Sequence, residues 1–391
     1  MIGIVPALGT PYRVRDVIAG SMRLLSPRHA LESEAHSGMR SAAGVDNVYF
    51  FNSGSSGFEA ILACLRRFDA RDEVIIPSYT CRTVGRTVRK AGLVPRIADV
   101  SLRNFSLDPV QVEQCLSGRT LAIIATHLFG SPCDISRIVT LARARNVHVI
   151  EDVAQGMGAS VDGRKVGTFG DFSFYSFGKG KNLSIVSGGA VAVNNPRFRA
   201  EFERLYAGVS YPGFFDQVLR CVLALLYPIG LRPCLYYFIY TMHLDGAVAR
   251  TPDMQCMALG KFQMSLFLRV VTMYDKLVLC RISNAERLFH IVQKCRHFSC
   301  IVPLERSRPV YPSFPVLAPY MRTRDLVCAR LRAAGIAASS LFKKAPDETH
   351  VSEHGDELYR RLFVLPTIPF LNDTHFMTIQ SVLSEFDTRG A

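Results

Sequence analysis

A carboxylate at Asp152, a hydroxyl at Ser176 and amines at Lys179 and Lys181 mark the segment EDVAQGMGASVDGRKVGTFGDFSFYSFGKGKNLSIVSGG, from Glu151 to Gly189. The apolar run Val147–Ile150 leads into Asp152, and a second β-like run, Asp171–Phe177, delivers Ser176 to a lysine-rich turn. An acid, a small hydroxyl and a lysine at neighbouring strand ends suit pyridoxal phosphate (PLP). The carboxylate pairs with the pyridinium nitrogen, the hydroxyl takes a phosphate oxygen, and the amine forms a Schiff base. For Asp152 the competing role is structural, the capping of a helix. Strand alternation turns Glu151 to the opposite face. Local chemistry does not choose between Lys179 and Lys181, since both sit in a glycine-loosened turn.

These residues need a scaffold that brings strand ends together. From about residue 48 to 195 the chain alternates short β-branched runs with helical stretches: Val48–Phe51 then Gly57–Phe68, Val74–Ile76 then Thr83–Ala91. Val94–Ile97, Pro109–Leu116, Leu121–Ala125, Asp134–Arg145 and Val147–Ile150 continue the rhythm. It implies an α/β fold, a mainly parallel sheet with helices on both faces. In such sheets ligands bind beyond the carboxyl ends of the strands, where Asn52–Ser55, Pro77–Thr80, His127 and Asp152 all fall. The run NSGSSG, Asn52 to Gly57, lies between a strand and a helix expected to start near Gly57, and its small residues let N–H groups and hydroxyls approach an anion.

At 391 residues, 49% apolar and 20% charged, the chain is globular and long enough for more than one unit. We expect a large unit over residues 1–250 and connecting helices with a smaller α+β unit over 251–391. In the latter, Arg324–Ala334 reads as a helix, Gly335 as a turn, Leu362–Pro369 as a strand run and His375–Phe386 as a closing helix. The eleven cysteines form no C-x-x-C pair and no Cys/His cluster with zinc spacing, so no metal site is expected. Reduced thiols and an amino terminus with prolines and charges where a signal peptide needs an apolar core point to a cytoplasmic protein. The net charge of +13 favours anionic partners. Nucleic acid is not among those expected, because no helix-turn-helix, zinc finger or RNA-binding aromatic pair is present.

Residues 214–244 break the rhythm with an apolar stretch interrupted by Arg220, Pro228, Arg232 and Pro233. Each half is too short to span a bilayer. A buried helical hairpin at a subunit interface is one reading. A hairpin resting in a membrane interface is the other, giving a membrane-associated protein.

The motifs DEVIIPSYTC, AGLVPRIADV, HLFGSPCDI, IEDVAQGMGA, GRKVGTFGDFSFYSFGKGKNL and SGGAVAVNN, in this order and strand context, resemble the DegT/DnrJ/EryC1/StrS sugar aminotransferase family of fold-type I PLP transferases. The resemblance runs from about 48 to 195 and, weakly, through 313–370. It implies a large domain with a mainly parallel sheet and a smaller α+β domain. Members place the Schiff-base lysine four residues after the phenylalanine of a serine-phenylalanine pair, here Lys181 counted from Phe177. Asp152 would then bind the pyridinium nitrogen, Gln155 would approach the ring oxygen, and Ser176 with Gly54 and Ser55 would hold the phosphate. Lys179 becomes a nearby positive charge.

Sugar dehydratases of the family carry histidine in place of the lysine, so a retained lysine implies transamination. The resemblance therefore implies a homodimer that moves an amino group from an amino acid, glutamate by family habit, to a nucleotide-linked keto-sugar. The product would serve surface polysaccharide or a glycosylated metabolite. A dehydratase, a cyclitol aminotransferase and a non-catalytic membrane-docked relative are the alternatives. Two departures stand out. Cys81 occupies the position where many relatives stack an aromatic or histidine on the ring, leaving Phe129 and Tyr79 as candidates. Around Pro252–Lys261 no residue matches the one that relatives receive from the neighbouring subunit.

Overall fold

The computed structural model describes residues 3–236, 255–342 and 352–388. Its largest sheet has seven strands in the order β1-β9-β8-β5-β4-β2-β3. These are β1 Val48–Phe51, β2 Glu73–Pro77, β3 Val94–Ala98, β4 Thr120–Thr126, β5 His148–Asp152, β8 Phe172–Ser176 and β9 Gly189–Val193. All seven residues of β4 are buried, because helices cover both faces of a parallel sheet and leave no polar side for alternation. Pairing is parallel from β8 through β5, β4 and β2 to β3. β9 runs antiparallel to both of its neighbours, β1 and β8.

The intervening segments form α3 Gly54–Leu65, α4 Arg82–Lys90, α5 Pro109–Cys115 and α6 Ile135–Ala144, preceded in the chain by α1 Val14–Met22 and α2 Arg28–Ala43. Helix α3 begins three residues before the expected Gly57, because Ser53 caps it by accepting the Ser56 N–H at 3.0 Å. That correction moves Gly54 and Ser55 out of the loop and into the first helical turn. Phe58, Ile61, Leu62 and Leu65 of α3 pack with Phe174 and Val191 of the sheet. Two-residue strands β6 Ser160–Val161, β7 Arg164–Lys165 and β11 Ser307–Arg308 make a small separate sheet.

A third sheet, β10 Ser299–Cys300, β12 Ser313–Leu317 and β13 Leu362–Pro366, is antiparallel. It packs with the helices Tyr274–Val292, Met321–Ala333, Glu353–Arg361 and Asp373–Thr388 around Leu288, Val316, Leu331, Phe363 and Leu383. The turn after Met321–Ala333 is made by Gly335 at φ +84°. Asp99, just past β3, ties this unit to the large sheet. Its carboxylate accepts from Ser78 and Ser352 hydroxyls (2.6 Å each) and from the His354, Gly355 and Val100 N–H groups. Partial burial opposes the charge, but those donors outweigh it and hold the Asp99 carboxyl down at about 2.

Of the apolar stretch 214–244, the part beyond Tyr236 lies outside the described residues, as do Lys343 and Lys344. Arg199–Ala207 is helix α7, and Phe214–Gly230 forms a single helix, α8, with Pro228 inside its last turn. It is not a fully buried element: only Ala224 is buried, while Cys221, Leu223, Leu225 and Tyr227 pack on the core. Phe215 (86% exposed), Val218, Leu219, Val222, Leu226 and Ile229 form an outward stripe. No described helix is long and apolar enough to cross a membrane.

Candidate active site

Parallel register brings the strand ends together. Asp152 pairs across β4 with Thr126 and across β8 with Phe174, so Ser176 lies two residues further along β8. Antiparallel β9 then sets Gly189 opposite Ser176. Helix α3 closes onto this edge. A Cβ on Gly54 would sit 3.0 Å from Ser176 Cβ, and one on Gly189 would sit 2.4 Å from the Gly54 nitrogen. Only glycine allows that approach. Ser53 claims the Ser56 N–H through its hydroxyl and the Gly57 N–H through its carbonyl. The Gly54 and Ser55 N–H groups are left without a protein acceptor among the described residues. Helix α3 thus presents free donors and its positive dipole end beside Ser176.

Asp152 is 6% exposed, and one described donor, the Ala154 N–H at 3.0 Å, serves its carboxylate. Burial pushes its pKa up, and the nearby charge of Lys181 is the largest influence in the other direction. A carboxylate so buried and so poorly supplied with donors needs a cationic partner. A protonated ring nitrogen meets that need, and the open turn of α3 meets the needs of a phosphate. The residues present therefore fit PLP. Lys181 is half-buried in the turn, whereas Lys179 is exposed. The Lys179 side chain is open to solvent along part of its length, but desolvation at its amine and then the like charge of Arg220 on α8 push that amine down. The structure thus sets Lys181, and not Lys179, in the field of Asp152.

Gln155 uses its Oε1 to accept the Phe129 N–H at 2.8 Å, which leaves its amide NH2 as the group free to donate. Its backbone carbonyl accepts from Asn182 Nδ2 at 2.7 Å, joining the Gln155 turn to the lysine turn. Glu151 does face away from Asp152. Fully buried, it accepts the Gly167, Phe169 and Gly170 N–H groups at 2.7 Å each and sits 3.1 Å from His127 Nε2. That carboxylate is structural: it folds the 167–170 turn behind β5. Tyr79 and Phe129 are buried in one aromatic cluster with Phe342 and Tyr359. Cys81 sits at the N-terminal cap position of α4 without capping it through its side chain, its sulfur 3.1 Å from Thr83 Oγ1.

Sequence reasoning missed Thr10, Asn182 and Arg281. Thr10 Oγ1 lies 3.5 Å from the Lys181 carbonyl and 3.3 Å from the Asn182 carbonyl, and accepts the Ser184 N–H at 2.9 Å. Nothing local in the sequence signals so distant a contact. Arg281 does carry a signal. It shares the buried face of its helix with Tyr274, Leu277 and Leu288, so a charge sits at 3–4 spacing where the pattern asks for an apolar residue.

A seven-stranded, mainly parallel sheet covered by helices, with a smaller antiparallel unit, is the architecture of the fold-type I PLP transferase class. The model of the DegT/DnrJ/EryC1/StrS aminotransferase family matches residues 32–384, and the chain belongs to that family. It is 35% identical over 196 residues to a UDP-N-acetyl-3-dehydro-alpha-D-glucosamine 3-aminotransferase of Acidithiobacillus ferrooxidans, covering 50% of each chain. It is 31% identical over 205 residues to an L-glutamine:2-deoxy-scyllo-inosose aminotransferase of Streptomyces lividus, covering 52% of this chain and 48% of that one. The match thus spans about half the length of these curated relatives. Among solved structures, DesV of S. venezuelae, in complex with a ketimine intermediate, superposes with a TM-score of 0.79 at 22% identity over 98% of this chain and 99% of that one.

Proposed function

We propose that the protein is a PLP-dependent aminotransferase that takes an amino group from an amino acid, glutamate by family habit, and places it on a nucleotide-linked keto-sugar. The observation that carries this reading is the buried, donor-poor Asp152, within reach of the Lys181 charge, at the same sheet edge as the open first turn of α3. Gly54, Ser55 and Ser176 would hold the phosphate, Asp152 the ring nitrogen, and the free NH2 of Gln155 the ring oxygen. When bound, PLP supplies the electron sink for a carbanion. Lys181 would hold the cofactor through its aldehyde carbon, and its amine would move the proton between the two carbons that exchange the amino group. The net charge of +13 suits a diphosphate-bearing substrate. A homodimer in the cytoplasm, serving surface polysaccharide or a glycosylated metabolite, completes the proposal.

A cyclitol ketone is the second reading, favoured by the scyllo-inosose relative. Both are tested with PLP-loaded protein, nitrogen-labelled glutamate or glutamine, and either a nucleotide-linked keto-hexose or a cyclitol ketone. Label on the sugar carbon is the expected result. Label only on the cyclitol selects the second reading, and label on neither removes transamination.

We further propose that the outer stripe of α8 rests on an anionic membrane surface. The exposed Arg13, Arg15 and Arg232 supply charge complementary to acidic lipid near the same helix pair. Flotation with phosphatidylglycerol vesicles should carry the wild-type chain upward and leave a Phe215→Glu/Leu219→Glu/Val222→Glu variant below. These positions are half to fully exposed, so the variant should stay folded. A wild-type chain that does not float ends this idea.

A further inference from the structure

Among the described residues the largest fully buried side chain is a charged one, Arg281 on the helix Tyr274–Val292. A guanidinium taken out of water is costly unless charged or well-hydrogen-bonded groups compensate it. Here no described carboxylate pairs with Arg281. Instead it donates to the Asn182 carbonyl (2.8 Å), the Asn182 side-chain Oδ1 (2.6 Å) and the Gly9 carbonyl (2.7 Å). Its Nε is buried without a partner. Burial pushes the guanidinium down to about 10. Simple core packing would be served better by an apolar side chain at this position, like Leu277 and Leu288 on the same face.

The acceptors explain the choice. Asn182 immediately follows Lys181, and its Nδ2 donates to the Gln155 carbonyl. Gly9 precedes Thr10, whose hydroxyl reaches the same lysine turn. One planar fork therefore pins the distant segments 9–10 and 181–182 to each other, and Asn182 relays the tie to a third, at 155. An arginine can do this because its donors are fixed in plane and diverge, whereas a lysine presents a single nitrogen.

Building on the site proposed above, we infer that Arg281 is a positioning residue for Lys181, holding the Lys181–Asn182 turn against the Gln155 turn. A side chain that must reach a carbonyl carbon loses rate steeply, by about 10²-fold, when it is misplaced by about 1 Å. The fork removes that freedom without touching the reacting atoms.

The test measures how fast Lys181 couples to PLP. Protein is pulsed with PLP, trapped with borohydride at intervals and digested, and the labelled peptide is quantified. Arg281→Lys and Asn182→Ala are compared with Leu288→Ala, a core truncation on the same helix that controls for lost stability. Labelling of Lys181 in the two turn variants should slow by tenfold or more, with kcat falling alongside and KM for the amino donor nearly unchanged. Leu288→Ala should label at the wild-type rate despite a lower melting temperature. If Arg281→Lys does not fold, Asn182→Ala alone decides, since it removes the Oδ1 acceptor and the tie to Gln155 while keeping the buried charge. Wild-type labelling speed in the folded turn variants overturns the positioning role and leaves the site intact. No label at Lys181 in the wild-type protein overturns the site reading itself, and this inference with it.

Discussion

Lys181→Ala should abolish the visible band that PLP gives with the wild-type protein and lower nitrogen transfer by about 10⁴-fold, the upper range for losing a positioned acid–base group, compounded by loss of the covalent link. Lys179→Ala should keep the band and most of the activity. The contrast follows from placement. Lys181 is half-buried and close enough to Asp152 to oppose the burial that pushes that carboxyl up. Lys179 is exposed and its charge meets Arg220. Absorbance of the PLP-loaded proteins, before and after glutamate, checks both halves. Glutamate should bleach the wild-type band as the amino group moves onto the cofactor. Loss of the band in Lys179→Ala with retention in Lys181→Ala would reverse the assignment. An unchanged wild-type band after glutamate would leave PLP binding standing and remove glutamate as donor.

The parts of this arrangement that could be read from sequence are those coded locally. The run Val48–Phe51 is observed as β1 at those bounds, since a short apolar run between turn residues leaves little choice. The strand end at Asp152 followed from the βαβ rhythm, because parallel sheets gather their carboxyl ends on one edge, and Ser176 from the β-like run Asp171–Phe177, observed as Phe172–Ser176. The start of α3 was misplaced because a serine that caps a helix looks, in sequence, like a serine in a loop. The segment of β9 entered only as the motif SGGAVAVNN of the resemblance, and its insertion between β1 and β8 is a pairing choice made by distant chain that leaves no local trace. Strands of two residues, such as β6 and β11, have no period to detect. The Arg281 fork spans 272 positions between its donor and Gly9. Only the misplaced charge on an apolar helix face hinted at it.

Asp152 is where activity and stability pull in opposite directions, and Asp152→Asn should separate them. Asparagine keeps the size of the side chain and an oxygen to accept the Ala154 N–H, so the fold loses no described hydrogen bond. What goes is a buried negative charge. Its pKa is raised in the folded chain, chiefly by desolvation. A carboxyl raised on folding costs stability when ionised, fully above its folded pKa and not at all below its unfolded value. The asparagine variant should therefore be as stable as wild type or more so at neutral pH. Its advantage should shrink as pH falls toward the ordinary carboxylate range. Activity should move the other way. Without a fixed anion beside it the ring nitrogen is not held protonated, and the electron sink weakens. A fall of about 10³-fold in kcat is expected for loss of one preorganised electrostatic group in a water-poor site. Denaturant midpoints at several pH values and kcat on the same preparations read both effects. A strongly destabilised variant would make Asp152 a structural cap, the role a strand-end aspartate has by default. A stable variant with wild-type turnover would remove it from the chemistry altogether. Stability retained and turnover lost is the signature of a charge kept for the cofactor at the expense of the fold.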